Sequence, residues 1–275
     1  MNLTETLELI VLVLYFLGAV LHILAMLVRG PLLRYGGQAA TLLGFGLHTV
    51  DIGLYVHRYE AVALGQGPFY FSLLAWTLII VSLVLNWRLR MHFLALTALP
   101  LALIIYSFAT TLPTVEVVLP ESFMGLWFGL HIGTLFFSIC LLAMAASSGV
   151  VYLFLENKIK GKAKITGLSK DLPSLSLFDQ VNAWAVNLGF PLFTVGLLSG
   201  FLWAHFTWER FFSWDPKEVA AIIVWLLFAF LFHQRLVNGW RGRKPAKLAI
   251  WIFALSLVSM LGINFFLETH HSFQP

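Results

Sequence analysis

Long apolar runs separated by short polar stretches dominate the pattern of this chain. A helix that crosses a bilayer needs roughly 20 mainly apolar residues. Backbone groups in lipid must be hydrogen-bonded within their own segment, so runs of this length predict helices rather than strands. Eight segments meet the requirement: about 6–28, 38–57, 70–87, 92–111, 124–155, 183–206, 216–236 and 246–267. The pattern therefore predicts an all-α integral membrane protein with about eight transmembrane helices, in which residues 1–275 form a single polytopic membrane domain.

The composition supports a membrane protein and excludes several classes of function. Only 11% of the 275 residues are charged and 60% are hydrophobic, whereas soluble domains carry about 25% charged residues. Without a soluble domain, any chemistry must take place in the membrane or at its outer face, and we identify no independent catalytic constellation and no nucleotide-binding loop. The sole cysteine, Cys140, lies in an apolar run, which excludes an internal disulfide and thiol redox chemistry by this chain alone.

The positions of lysine and arginine predict the orientation. The loops after spans 1, 3, 5 and 7 hold 14 of the 17 basic residues, and the opposite side holds only Arg58, Arg210 and Lys217. By the positive-inside rule the basic side is cytoplasmic, so both termini face the outer side of the plasma (inner) membrane. This alternation also accounts for the pI near 9.3 without a nucleic-acid partner. We expect the apolar surface of the spans to contact the lipid bilayer.

The stretch before the seventh span is the most informative part of the sequence. Asp215, Pro216 and Glu218 have the spacing of a helix start, with a capping residue, a proline at the first position and a capping-box glutamate. From spacing alone the aromatic residues before them form either an interfacial belt or a flat apolar platform. With cations Arg210 and Lys217 nearby, such a platform suits a planar hydrophobic dianion such as haem. Six aromatic residues fall within twelve positions: Trp203, Phe206, Trp208, Phe211, Phe212 and Trp214.

The same stretch resembles the tryptophan-rich WWD signature of the cytochrome c assembly family (CcsA, ResC and CcmC types), whose typical form is W-A-x-x-x-W-G-x-x-W-x-W-D-P-K-E. Glu209 stands where the family usually has glycine, and Phe212 where it usually has tryptophan. Both departures also fit the HemX-like branch of small relatives. The chain keeps Trp203, Ala204, Trp208, Trp214, Asp215, Pro216, Lys217 and Glu218. The segments around Leu172–Ser174, Gly189–Pro191 and Gly44–His48 also resemble the family.

The resemblance implies a haem-binding protein of cytochrome c biogenesis that moves or presents haem b at the outer face for attachment to apocytochrome c. It implies a CcsB-like (ResB-like) membrane partner and leaves open whether the chain is part of a synthase. The implied platform comprises Trp203, Trp208, Trp214 and Asp215, with Arg210 and Lys217 pairing the propionates. The alternative is a HemX-like regulator of haem biosynthesis that acts through the cytoplasmic loop from Lys158 to Lys170. The lysines of that loop are also explained without a regulatory role, by membrane topology and contact with anionic lipid. A third reading is a haem- or quinone-linked electron carrier.

Two histidines flank the aromatic stretch in sequence and are candidates for outer ligands of haem iron. Neutral imidazole ligates haem iron, and two axial histidines make a six-coordinate site. His131 lies about 10 Å into span 5 at 1.5 Å per residue, and His271 follows span 8. Position alone leaves ligation and packing equally open. The resemblance implies that His131 and His271 are the external pair, with His270 as an adjacent competitor.

The other histidines include candidates for an inner haem site and residues with a structural or solvated role. His233 near the inner end of span 7 matches the family's transmembrane histidine, and its partner is either His22 or His48. His48 has Asp51 three residues on, so the two share a helix face. They form either a structural pair or a ligand whose tautomer Asp51 fixes. We expect His57 and His92 at loop edges to be solvated and His205 to pack locally.

Overall fold

In a computed structural model of the chain, residues 3–28, 30–59, 67–89, 93–112, 126–162 and 173–259 are described. The described residues form eight α-helices, which confirms the predicted fold class. Seven of them are long and apolar enough to cross a membrane, so the chain is a multi-pass membrane protein. The helices are α1 Leu3–Val28, α2 Pro31–Tyr59, α3 Gly67–Leu89, α4 Leu94–Thr111, α5 Leu126–Lys160, α6 Leu175–Trp208, α7 Pro216–Leu236 and α8 Arg243–Leu257. The predicted eighth span continues beyond the described residues.

Helices α1 to α4 belong to one compact unit and α5 to α8 to another. In the first unit α1 packs against α2 and α4, and α3 packs against α4. Small residues allow these close approaches, as is usual between helices in lipid. A Cβ atom on Gly44 would come within 2.9 Å of the Tyr15 ring, and Ala98 and Ala102 on α4 are fully buried.

In the second unit α5 packs along α6, and α8 packs against α5 and α7. A Cβ atom on Gly149 of α5 would lie 2.9 Å from the backbone carbonyl oxygen of Ala246, so glycine permits the contact between α5 and α8. Ser138 on α5 donates a hydrogen bond to the carbonyl of Gly189 on α6 at 2.8 Å. Asn182 on α6 donates to the carbonyl of Ala145 at 2.9 Å. Polar groups buried among apolar helices thus find partners across the α5–α6 interface.

A buried arginine network closes the predicted cytoplasmic end of the second unit. The Arg235 side chain is 5% exposed and donates to Asp179 Oδ1 at 2.7 Å. It also donates to Asn182 Oδ1 at 2.9 and 2.7 Å. Asp179 Oδ1 accepts in addition from the backbone N–H of Gly242 at 2.8 Å. A buried charge is tolerated when its hydrogen-bonding capacity is met in this way, and the network joins α6 to the end of α7 and the loop that follows.

Candidate functional site

The aromatic stretch forms the end of α6, a short connection and the start of α7. Asp215 is the N-cap of α7, its side chain accepts from the backbone N–H of Lys217 at 2.8 Å, and Pro216 is the first helical residue. These three features confirm the predicted helix start. The Glu218 carboxylate reaches past the cap residue and accepts from the backbone N–H of Ser213 at 2.7 Å. The connection is therefore fixed to the helix by two carboxylates that are themselves buried.

Two residues of this connection have left-handed backbone conformations. Glu209 ends α6 at a φ of +54°, and Trp214 has a φ of +61°. Left-handed backbone costs an L-residue roughly 1–2 kcal/mol, whereas glycine adopts it freely. This explains in physical terms why glycine suits position 209. A bulky residue such as Trp214 is rare in this region, and strain of this kind accumulates at functional sites.

The predicted platform residues occupy different environments. Trp203 is 8% exposed and packs on Phe128, with ring centroids 5.4 Å apart, so it supports the α5–α6 interface. Trp214 is 80% exposed and meets the edge of Phe212 at 5.1 Å. Thus Phe212, the residue in place of the family's usual tryptophan, still supplies a ring that supports Trp214. The side chain of Trp208 lies outside the described part.

The groups predicted to pair with carboxylates lie in the same connection. Arg210 is exposed, Lys217 is half-buried at the start of α7, and Asp215 is buried.

The ring of His205 stacks on Phe211 at 4.1 Å with an angle of 2° between the planes, which agrees with the expected local packing. Among the described residues its buried Nδ1 has no hydrogen-bond partner.

The imidazole of His131 is held between α5 and α6 in a defined tautomer. Its Nδ1 lies 2.7 Å from the carbonyl oxygen of Gly196. Since a carbonyl only accepts hydrogen bonds, Nδ1 carries the proton and the lone pair is on Nε2. That is the form in which histidine ligates a metal, with the other ring nitrogen bonded to the backbone. Gly200 makes room for the ring, because a Cβ atom there would lie 2.5 Å from His131 Cε1.

His22 in the first unit repeats this arrangement. Its Nδ1 donates to the carbonyl of Gly18 at 2.8 Å, which again leaves the lone pair on Nε2. Gly37 on α2 faces the ring, and a Cβ atom at that position would lie 2.5 Å from His22 Nδ1. Both imidazoles thus face a glycine on the neighbouring helix and have their tautomer fixed by a backbone carbonyl, which belongs to α6 for His131 and to α1 itself for His22.

His48 is fully buried and has different partners from those expected. Both of its ring nitrogens are engaged, one with the hydroxyl of Tyr15 at 3.0 Å and the other with that of Ser72 at 2.9 Å. Asp51 accepts instead from the hydroxyl of Tyr106 at 2.7 Å. The proposed pairing of Asp51 with His48 is therefore replaced by bonds from neighbouring helices, whose hydroxyls meet these side chains directly. A ligand role for His48 would require one of these bonds to break.

The remaining histidines are placed as follows. His233 is exposed near the end of α7, and its backbone carbonyl caps that helix by accepting from Val237 at 2.8 Å. His57 is exposed at the end of α2, as expected. His92, His270 and His271 lie outside the described residues, so the predicted pairing of His131 with His271 stays a prediction.

Sequence reasoning missed the glycines that seat the imidazoles. Gly196 and Gly200 stand four residues apart in α6, a small-xxx-small spacing that is typical of close helix contacts in membranes, and this signal could have identified them. Throughout the described ranges there is no group of three or more His, Cys, Asp or Glu side chains that could hold a metal ion. Iron already held by a porphyrin needs only axial imidazoles, and His131 and His22 present the tautomer for that role.

Comparison with known proteins agrees with the resemblance in the signature. The family described as "Cytochrome C assembly protein" matches residues 67–271. The "Cytochrome c biogenesis protein CcsA" of Gloeothece citriformis (strain PCC 7424) is 30% identical over 247 residues, which cover 73% of this chain and 75% of the relative. The CcsA of Chlorella vulgaris is 30% identical over 278 residues, with 87% and 88% covered.

A solved structure shares the fold. The "Cytochrome c Heme Lyase CcmF" superimposes with a TM-score of 0.67 at 16% identity, covering 98% of this chain. The match spans 47% of that longer chain, so this chain corresponds to about half of it. Sequence family, curated relatives and fold agree. The chain belongs to the cytochrome c assembly protein family and is a multi-pass membrane protein of cytochrome c biogenesis.

Proposed function

We propose that this protein binds haem b as cargo and presents it at the outer membrane face for attachment to apocytochrome c. The observation that carries the proposal is the seating of His131. Ionisable side chains within membrane helices are usually functional, and the partly buried imidazole of His131 lies within α5. The bond from His131 to the Gly196 carbonyl, at 2.7 Å, satisfies one nitrogen and leaves the other for iron.

The outer site is built from the second unit. His131 provides one axial imidazole, and His271, beyond the described residues, provides the other. Trp214, which is largely exposed, supplies the open face for the porphyrin, together with Trp208. Trp203 packs on Phe128 between α5 and α6, and Asp215 caps α7 directly after Trp214. Arg210 and Lys217 pair with the propionates, because cations near an apolar face form charge-assisted hydrogen bonds with carboxylates.

The inner contacts use histidines near the predicted cytoplasmic ends of the helices. We assign His233 to haem that enters from the cytoplasmic side, and His22 is a separate candidate ligand within the first unit. His22 is preferred to His48, since its tautomer leaves Nε2 for iron, whereas both nitrogens of His48 are hydrogen-bonded.

Attachment itself requires other chains. The only cysteine, Cys140, is buried in α5, so the thiols that form thioethers come from apocytochrome c. The predicted outer loops of this chain are short. A CcsB-like (ResB-like) partner in the plasma (inner) membrane therefore recruits the apocytochrome. The curated relatives are biogenesis proteins, which favours this function over regulation of haem synthesis.

The visible spectrum of the purified protein tests the proposal. We expect a Soret band in the wild type that is at least halved in His131→Ala and in His271→Ala and restored by added imidazole. Imidazole can occupy the axial position that the mutation vacates. His57→Ala removes an exposed histidine and serves as the control. A protein that remains colourless and does not bind added haem would refute the assignment.

Loss of the gene gives the matching test in cells. Haem-stained c-type cytochromes should disappear in a deletion strain and return with the wild-type chain but not with His131→Ala. Intact c-type cytochromes in the deletion strain would exclude a role in attachment.

A further inference from the structure

The connection between α6 and α7 that holds Trp214 (residues 209–215) is called the Trp214 connection. A second aromatic and cationic surface lies at the opposite end of α7. It consists of Phe230, His233, Trp240 and Lys244, which we call the inner aromatic corner. Phe230 and His233 are three residues apart and so share a helix face, and both are exposed. Trp240, in the loop after α7, meets Phe230 edge-on with ring centroids 5.8 Å apart. The indole therefore lies back along the face that His233 occupies.

A cation completes this surface. The Lys244 ammonium group lies 5.2 Å from the centroid of the Trp240 ring, within the range of a cation–π contact. Lys244 is also exposed, so its charge can meet a further partner. An exposed imidazole, two aromatic rings and an ammonium group thus occupy neighbouring positions at one end of the helix.

The loop that carries Trp240 is anchored on both sides of the ring. The backbone N–H of Trp240 donates to the carbonyl of Gln234 at 3.0 Å, and its carbonyl accepts from Arg235 at 3.4 Å. Two residues on, the N–H of Gly242 is held by Asp179 at 2.8 Å. The buried arginine network therefore fixes the backbone that carries the indole. Such preorganisation lowers the entropic cost of binding a ligand at the ring.

We infer that the inner aromatic corner is a docking site for the porphyrin ring and carboxylates of haem, with Trp240 against the ring and Lys244 at a propionate. This inference rests on the proposed haem function and adds Trp240 and Lys244 to the role given to His233. Flat conjugated rings pack well on aromatic side chains, and an ammonium group pairs with a carboxylate. Axial ligation by His233 and docking by Trp240 are separate contacts and can be lost separately.

Binding of iron-free protoporphyrin IX isolates the docking contacts from ligation. The full chain, purified in detergent, carries His131→Ala and Trp214→Ala to disable the proposed outer site. In this background we expect Trp240→Ala to weaken protoporphyrin binding about tenfold, the scale of one aromatic contact. Trp251→Ala is the matched control, because Trp251 is a 72% exposed tryptophan on α8, and its affinity should stay within about twofold. Equal weakening in both variants would overturn the inference.

The dimethyl ester of protoporphyrin tests Lys244. We expect Lys244→Gln to weaken binding of the free acid about threefold, since an exposed ion pair is modest in strength. Binding of the ester should not change, because it carries no carboxylates. Lys247→Gln, also an exposed lysine of α8, should affect neither ligand. An equal loss for acid and ester in Lys244→Gln would contradict propionate pairing.

Two further variants keep the outcomes distinct. Trp240→Leu retains apolar bulk and is less prone to misfold than Trp240→Ala. Thermal unfolding checks that the variant is folded. It should bind the porphyrin as weakly as Trp240→Ala does. His233→Ala should lower the Soret intensity of added haem by a larger factor than it weakens protoporphyrin binding, because only haem carries iron for the imidazole to ligate. If His233→Ala leaves haem unchanged, the inner ligand of the proposed function fails. If Trp240→Leu binds porphyrin normally, the docking site fails.

Discussion

At the residue scale, the positions of the imidazoles depend on glycines in the neighbouring helices. Sequence position identified His131 as a candidate, but its tautomer and its hydrogen bond to the Gly196 carbonyl could not be predicted. Both depend on the approach of α5 to α6, which brings the Gly196 carbonyl to 2.7 Å from Nδ1. The same limit applies to His48, whose partners come from α1 and α3 rather than from its own helix.

Replacing Gly200 tests the seat of His131. Gly200→Ala would place a Cβ atom 2.5 Å from His131 Cε1, so the ring must move. We expect the Soret intensity of the purified protein to fall as far as in His131→Ala. Gly133→Ala is the control on the same helix as His131, since a Cβ there meets nothing within 4 Å. Equal Soret intensities in Gly200→Ala and Gly133→Ala would show that haem binding tolerates displacement of the His131 ring.

The left-handed backbone at Glu209 gives a second prediction at this scale. Glu209→Gly should stabilise the protein by about 1 kcal/mol, because glycine removes the cost of a φ of +54°. The free energy of unfolding in detergent measures the effect. Arg210→Gly, at the adjacent position, should be neutral or destabilising, since it gains backbone entropy in the unfolded chain without relief of strain. A loss of stability in Glu209→Gly would mean that the carboxylate has a structural role.

At the element scale, hydropathy predicts the helices better than their ends. The apolar run suggested a sixth span from about 183, whereas α6 begins at Leu175. The first two turns hold Asp179 and Asn182, polar residues that lower the hydropathy of a sliding window. Arg235 of α7 binds both side chains, a tertiary contact that the local sequence pattern does not contain. The start of α7 was predictable because Asp215 and Pro216 act locally.

The buried and exposed ion pairs of the second unit should differ in strength. Asp179→Ala leaves the buried Arg235 guanidinium without its carboxylate, and we expect a loss of about 3–5 kcal/mol in the free energy of unfolding. Glu156→Ala removes the partner of Arg243, which is 3.0 Å away and far more exposed than Arg235. Its cost should be within about 1 kcal/mol. Equal costs would contradict the role of burial in this comparison.

At the scale of the whole molecule, the distribution of basic residues predicts which ends face water outside the cell. The test starts from Cys140→Ser, which removes the only cysteine. In intact cells a membrane-impermeant maleimide should label Arg210→Cys, and it should label Arg241→Cys only after permeabilisation. Both positions are exposed in the structure, so differences in labelling report the side of the membrane. The opposite pattern would reverse the orientation and exclude outer presentation by the Trp214 connection.

The glycine seat of His131 has a consequence for how cargo is held and released. In the proposed function the imidazole of His131 would bind iron through Nε2, while its Nδ1 joins α5 to α6, so haem binding and the packing of these two helices would be thermodynamically linked. A loaded protein must resist unfolding more strongly than an empty one, by about 2.7 kcal/mol when free ligand exceeds its Kd a hundredfold. Conversely, a partner that separates α5 from α6 would weaken the binding of iron. Under that proposal, separation of the two helices would promote release of haem without a competing ligand for the iron.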